Sequence, residues 1–124
     1  LLGAPNRGAV REAVLRHAVD DGLVLARDGD EPVGFVMFAV EGGSYEQRVD
    51  RGVVRNLYVR PAHRGRGIGG ELLRAAERAL ADRGADRVSL EAMADNEAAR
   101  RFYRRHGYGV HRVELEKQTD RDTR

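Results

Sequence analysis

Between residues 53 and 83 the chain passes from a β-type run to a helical one through a loop of arginine and glycine. That junction constrains the fold more than any other stretch. Val53 to Val59 is rich in strand formers and Pro61 breaks the run. Arg64-Gly65-Arg66-Gly67-Ile68-Gly69-Gly70 then leads into apolar residues at Leu72, Leu73, Ala76, Ala79 and Leu80, a one-sided helical pattern. Gly84 stands where a helix takes its C′ glycine. Glycines let a backbone approach a ligand closely and adopt unusual φ and ψ. The free N–H groups and positive dipole end of the following helix then face an anion. Such a strand-loop-helix unit places a phosphate-bearing ligand at the carboxyl end of its strand.

The flanking sequence predicts what this unit is built into. Residues 1 to 8 read as a loop. Val10, Ala13, Val14, His17 and Ala18 recur at helical spacing and predict an amphipathic helix over about 9 to 20, stopped by Asp20-Asp21-Gly22. Leu23 to Arg27 is a short strand, and Asp28-Gly29-Asp30 is a hairpin turn signal. Val33 to Val40 is apolar on both faces except at Gly34, the pattern of a strand covered on both sides. Residues 41 to 50 are polar and predict a loop. Val88 to Met93 is a strand, Asp95 or Asn96 caps a helix running to about Arg105, and Gly107 ends it. Val110 to Lys117 alternates as a final strand, followed by a polar tail from Gln118. The order α-β-β-β-α-β-α-β, with no internal repeat and no linker, predicts one domain over residues 1–124: a mixed sheet covered by helices.

Composition narrows the function. A chain of 124 residues with 41% hydrophobic and 34% charged residues suits a globular domain with a modest core. No apolar run approaches the roughly 18 residues needed to span a membrane, and no secretory apolar segment is seen. The net charge is only +2, with 22 basic residues against 20 acidic ones; all the basic residues but Lys117 are arginines. Acids are interspersed among them, so the clustered basic face of a nucleic-acid binder is not expected. The absence of cysteine excludes disulfides, thiolate metal sites and a cysteine nucleophile, which fits a cytoplasmic location. No His/Asp/Glu spacing suggests a metal site. The first residue is Leu1, a start that fits a processed or trimmed chain.

Two common phosphate loops can be tested. A Walker loop needs Gly-Lys-Ser/Thr, and neither lysine nor hydroxyl follows Gly67 or Gly69. The dinucleotide fingerprint Gly-x-Gly-x-x-Gly is matched by Gly65, Gly67 and Gly70. It normally follows the first strand of its unit, whereas here at least two strands precede it, and Asp86 lies before a strand and not at the end of one. A dinucleotide oxidoreductase is therefore the weaker reading.

Arg64-x-x-Gly67-x-Gly69, with the lead-in Leu57 to Pro61, resembles the Arg/Gln-x-x-Gly-x-Gly/Ala signature of the GNAT superfamily of acetyl-CoA-dependent N-acetyltransferases. Asn96, Ala98, Ala99, Phe102, Tyr103 and Gly107-Tyr108 resemble its second motif. The likeness covers about residues 23 to 117. It implies an α/β (α+β) fold: a mixed, mostly antiparallel GNAT-like sheet flanked by helices. Such domains usually open with a further strand, which is expected to be missing here because only one helix precedes Leu23.

The resemblance also implies roles. The backbone of Arg64, Gly65, Arg66, Gly67, Ile68, Gly69 and Gly70 would hold the pyrophosphate of acetyl-CoA, and Arg66 is a candidate to touch phosphate. The backbone of Leu57, Tyr58 and Val59 would lie along the pantetheine arm where the strand diverges from its neighbour at a bulge. An N–H near Leu57 would polarise the thioester carbonyl. Tyr103 is the family's proposed general acid for the departing thiolate, and Asn96 either caps its helix or contacts the pantetheine arm. Glu91, placed mid-strand where glutamate is disfavoured, is the candidate base. Leu90-Glu91-x-x-x-x-Asn96 is similar to the ribosomal-protein N-terminal acetyltransferases, in which that glutamate is a proposed base. Asn56 and Tyr58 are candidates to hold the acceptor, a small-molecule amine or a protein N-terminus. Acceptor choice falls to the N-terminal helix and the loop of residues 41 to 52. His17, His63, His106 and His111 read as structural or solvated. The family often dimerises, so a homodimer is a further implied partner. A non-catalytic acyl-CoA-binding module on the same fold is the alternative to an enzyme.

Overall fold

A computed structural model describes residues 22–41 and 51–121. The helix expected over 9 to 20, the question of a strand before it, and most of the loop at 41 to 50 lie outside those residues. The chain divides into two compact units, Leu1–Glu91 and Ala92–Arg124.

The first unit holds a four-stranded sheet. Strands β1 (Leu23–Asp28), β2 (Glu31–Glu41) and β3 (Arg51–Val59) run antiparallel in sequence order. Gly29 turns the β1–β2 hairpin with φ 68°, as its Asp-Gly signal predicts. A 3₁₀ turn (Pro61–His63) and helix α1 (Ile68–Asp82) follow β3, and the chain returns as β4 (Val88–Ser89), parallel to β3. The mixed, mostly antiparallel sheet expected from the sequence is thus present.

Helix α1 lies on one face of β1, β2 and β3. Its apolar stripe, Ile68, Leu72, Leu73, Ala76 and Leu80, is fully buried, with Val24, Ala26, Val36, Phe38 and Val54 opposite. Burying each large side chain of this set contributes about 1.5–3 kcal/mol. Close packing requires Gly52: a Cβ there would stand 2.6 Å from Leu80 Cδ1.

Two bulges set which side chains face the helix. The β1–β2 register steps from Ala26↔Gly34 to Arg27↔Pro32, so Val33 is an extra residue, and it turns inward and is buried. The β2–β3 register steps from Met37↔Asn56 to Phe38↔Val54, leaving Arg55 as the extra residue. Beyond it Leu57 pairs with Val36 on the helix side, while Asn56 and Tyr58 face the other way.

Three expectations are corrected. Among the described residues only one face of β2 is covered: on the other, Met37 and its β3 neighbour Tyr58 are 41% and 44% exposed, and Phe35 is half-buried against the Tyr58 ring at 5.9 Å. Val33 enters its apolar run as an inward bulge. Among the described residues the strand expected over Val88 to Met93 is laddered only at Val88 and Ser89, and the β3 bulge follows just past Val53. The strand expected over Val110 to Lys117 is not formed. Val110, Val113 and Leu115 are 79%, 70% and 87% exposed, and residues 110–117 join no ladder among the described residues.

The second unit contributes helix α2 (Glu97–Arg105). Asn96 caps it, its Oδ1 accepting from the Ala99 N–H at 3.0 Å. Gly107 ends it with φ 93°, and the Tyr108 N–H closes back on the Tyr103 carbonyl at 3.0 Å. Among the described residues no helix is long and apolar enough to cross a membrane.

Candidate functional site

The site begins where β3 leaves its parallel neighbour. Hydrogen-bonded pairing with β4 stops at Val53↔Ser89, and the Arg55 bulge follows at once. From there to Val59 one edge of β3 lies outside the parallel ladder. The Arg60 N–H donates to the Val33 carbonyl on β2 at 2.8 Å. Alternation along an extended strand then turns the amides of Leu57 and Val59 to the opposite, unladdered edge. An extended amide-bearing ligand could add there as a strand does.

The chain then tightens. Arg60 and His63 bracket a 3₁₀ turn, with the His63 N–H on the Arg60 carbonyl at 2.8 Å and the Arg64 N–H on the Pro61 carbonyl at 3.3 Å. Gly65 and Gly67 take φ 80° and 85°, the left-handed region that a side chain resists, and a Cβ on either would meet nothing within 4 Å. Gly67 is the N-cap of α1 and makes no side-chain cap bond. The first helical bond runs from the Glu71 N–H to the Gly67 carbonyl, 3.1 Å. The amides of Ile68, Gly69 and Gly70 precede it, so an anion above Gly67 would meet unspent donors and the positive end of a 15-residue helix.

Arg64 has a task the sequence did not reveal. Its Nε donates to the Val59 carbonyl at 2.7 Å, and its guanidinium lies 5.6 Å from the Tyr58 ring centroid. The side chain thus fastens the loop to the end of β3. Arg66 is exposed. His63 is largely buried, with Nε2 3.5 Å from Asp28 Oδ2 and a buried Nδ1 without a hydrogen-bond partner.

Leu57, Tyr58, Val59 and the whole run Arg64 to Gly70 are therefore brought together in one unit. Glu91, the last residue of that unit, lies beyond the short β4 and is exposed, not held mid-strand. Asn96 and Tyr103 belong to the second unit. Tyr103 is half-buried on α2, its ring edge-on to Phe102 at 5.1 Å and to Tyr108 at 5.9 Å. Burial pushes its hydroxyl pKa above the ordinary tyrosine value of 10.0, so it stays a protonated donor at neutral pH. Among the described residues no group of three or more His, Asp and Glu side chains is placed to hold a metal ion.

Residues 5–108 match the acetyltransferase (GNAT) family. The chain is 33% identical over 87 residues to an uncharacterized N-acetyltransferase of Bacillus subtilis (strain 168), covering 70% of this chain and 55% of that protein. It is 40% identical over 105 residues to the mycothiol acetyltransferase of Clavibacter michiganensis subsp. michiganensis, covering 83% of this chain and 32% of that protein. The chain thus spans about a third to a half of the length of these curated relatives. Among solved structures it is similar to an aminoglycoside N-acetyltransferase, AAC(6')-Iy, in complex with CoA. The TM-score is 0.67 at 16% identity, over 79% of this chain and 66% of that one, a likeness of fold.

Proposed function

Because the chain belongs to the acetyltransferase (GNAT) family, we propose that it moves an acetyl group from acetyl-CoA to a primary amine by direct attack within a ternary complex. The observation that carries this reading is the pairing of an unladdered β3 edge with a glycine loop whose amides are free to meet phosphate. The CoA held by the aminoglycoside acetyltransferase of like fold supports the choice of ligand.

In the proposed reaction the amides of Ile68 to Gly70 hold the pyrophosphate, and the Leu57 and Val59 backbone aligns the pantetheine arm. The amine nitrogen bonds to the thioester carbonyl carbon, the carbonyl oxygen gaining charge that an N–H near Leu57 stabilises. The C–S bond breaks, and the thiolate takes the proton of the Tyr103 hydroxyl. The proton leaving the amine passes to Glu91 through water, as the exposure of Glu91 requires. The chain holds no cysteine to form an acyl-enzyme. The acceptor class stays at a primary amine, whether on a small molecule or a protein N-terminus.

A panel of amines and peptides scored by release of free coenzyme A tests the reaction. Calorimetric titration with acetyl-CoA and NADH tests the ligand, and a preference for NADH would overturn the proposal. One observation favours a second reading, a non-catalytic acyl-CoA-binding module: Glu91 stands exposed beyond β4. Binding of acetyl-CoA without turnover across the whole panel would select it.

A further inference from the structure

The loop that carries the proposed ligand is tied at its entrance to a distant turn of the chain. Arg60 Nη1 donates to Glu31 Oε2 at 2.7 Å and to the Pro32 carbonyl at 3.2 Å. The Arg60 backbone N–H donates to the Val33 carbonyl at 2.8 Å. Three residues later His63 Nε2 stands 3.5 Å from Asp28 Oδ2. Asp28 and Glu31 flank the β1–β2 hairpin turn; Arg60 precedes the 3₁₀ turn that delivers the chain to Arg64, and His63 is its last residue. Both ends of the short turn are thus held by the same hairpin.

We propose that the β1–β2 hairpin is a clamp for the glycine loop, with Asp28 and Glu31 as positioning residues that act through His63 and Arg60. The physical need is clear from the loop itself. Gly65 and Gly67 have wide conformational freedom, their surroundings are open, and Gly67 lacks a capping side chain. Little within the loop fixes its shape, and a loop ordered only on binding gives up affinity. The clamp fixes the entrance, and Arg64 on the Val59 carbonyl fixes the next step. The buried Nδ1 of His63 has no partner, so the ring's polar anchorage is the Asp28 contact. The consequence for affinity rests on the acyl-CoA reading of the loop; the clamp itself does not.

The test uses the full chain with Asp28→Ala, Glu31→Ala, the double variant, and Glu31→Gln, which keeps an acceptor for Arg60. Hydrogen exchange at the loop entrance, read at the hydrogen-bonded amides of Arg60, His63 and Arg64, is measured without ligand, and the dissociation constant for coenzyme A is measured by calorimetry. Each solvent-exposed pair is worth a factor of roughly 1.5 to 5. The double variant should therefore speed loop exchange roughly 2- to 25-fold and weaken coenzyme A binding by a similar factor. Amides of Leu72 to Leu80 should keep their protection, and Glu31→Gln should fall between wild type and Glu31→Ala. Unchanged loop exchange would overturn the clamp, as would equal acceleration in the loop and in α1, which would mark general loss of structure. Faster loop exchange in a protein that binds no coenzyme A even as wild type would uphold the clamp and overturn the ligand reading.

Discussion

Replacing Gly67 by alanine separates backbone strain from ligand binding in a single comparison. Gly67 has φ 85°, and a Cβ built on it meets nothing within 4 Å, so Gly67→Ala in the free protein carries conformational strain and no clash. The left-handed conformation costs an L-residue about 1–2 kcal/mol. Gly107, with φ 93° and equally open surroundings at the end of α2, provides a matched control outside the loop. Gly67→Ala and Gly107→Ala should therefore lose similar stability, roughly 1–2 kcal/mol in urea denaturation. Their ligand behaviour should differ. The Gly67 methyl would project from the N-cap, beside the amides of Ile68, Gly69 and Gly70 to which the pyrophosphate is assigned. A hydrogen bond to a charged group is worth about 1.5–3 kcal/mol, so losing one such contact should weaken acetyl-CoA binding roughly 10- to 100-fold. Gly107→Ala should leave it within about twofold, since a change of 0.4 kcal/mol is all that such a factor represents. Isothermal calorimetry with acetyl-CoA reads both. If Gly67→Ala binds as tightly as Gly107→Ala while both are destabilised, the phosphate does not lie over the start of α1 and the reasoning fails.

Further outcomes follow from packing, capping and titration. Gly52→Ala places a methyl 2.6 Å from Leu80 Cδ1 and should cost about 1–3 kcal/mol by overpacking, read as a lower urea midpoint. Asn96→Ala removes the acceptor of the Ala99 N–H and should cost about 1 kcal/mol of stability, with Asn96→Ser recovering most of it. Burial raises the Tyr103 pKa above 10.0. The folded state therefore holds that proton more tightly than the unfolded chain does. Stability from this group is intact below pH 10 and falls as pH rises from 10 through the folded value. Tyr103→Phe should flatten that alkaline loss in a pH series of denaturation midpoints. In the proposed reaction it should also lower kcat about 100-fold or more with acetyl-CoA binding retained. Unchanged kcat would remove Tyr103 from the acid role.

The glycine loop was legible in the sequence because its chemistry belongs to the backbone. Gly65 and Gly67 permit the unusual φ they adopt, and the apolar spacing from Ile68 announces the helix whose start they shape. The strand read at Leu23 to Arg27 and its Asp-Gly turn were legible for the same reason, since turn chemistry is local. Local pattern could not report pairing. Val33 reads as one more apolar strand residue, and only its register against Arg27 and Ala26 makes it a bulge. Leu90 to Met93 and Val110 to Lys117 have the composition of strands, but a strand exists only where a neighbour accepts its hydrogen bonds. The contacts of His63 and Arg60 escaped sequence reading because their partners arrive through the sheet: Asp28 and Glu31 lie roughly thirty residues away in the chain.

These placements divide the labour of the proposed site in a way that experiment can resolve. Arg64 spends its Nε on the Val59 carbonyl, while the amides of Ile68, Gly69 and Gly70 stand at the start of α1 and Arg66 is exposed beside them. Amides and a helix dipole act at short range and are aimed, whereas a mobile surface cation acts through a field that salt screens over about 8 Å at physiological ionic strength. If the phosphate is held by backbone, coenzyme A affinity should change little between about 50 and 200 mM salt, and Arg66→Ala should cost less than Gly67→Ala. A steep salt dependence abolished by Arg66→Ala would assign the phosphate to the exposed arginine instead. The loop's glycines would then be required only to start the helix.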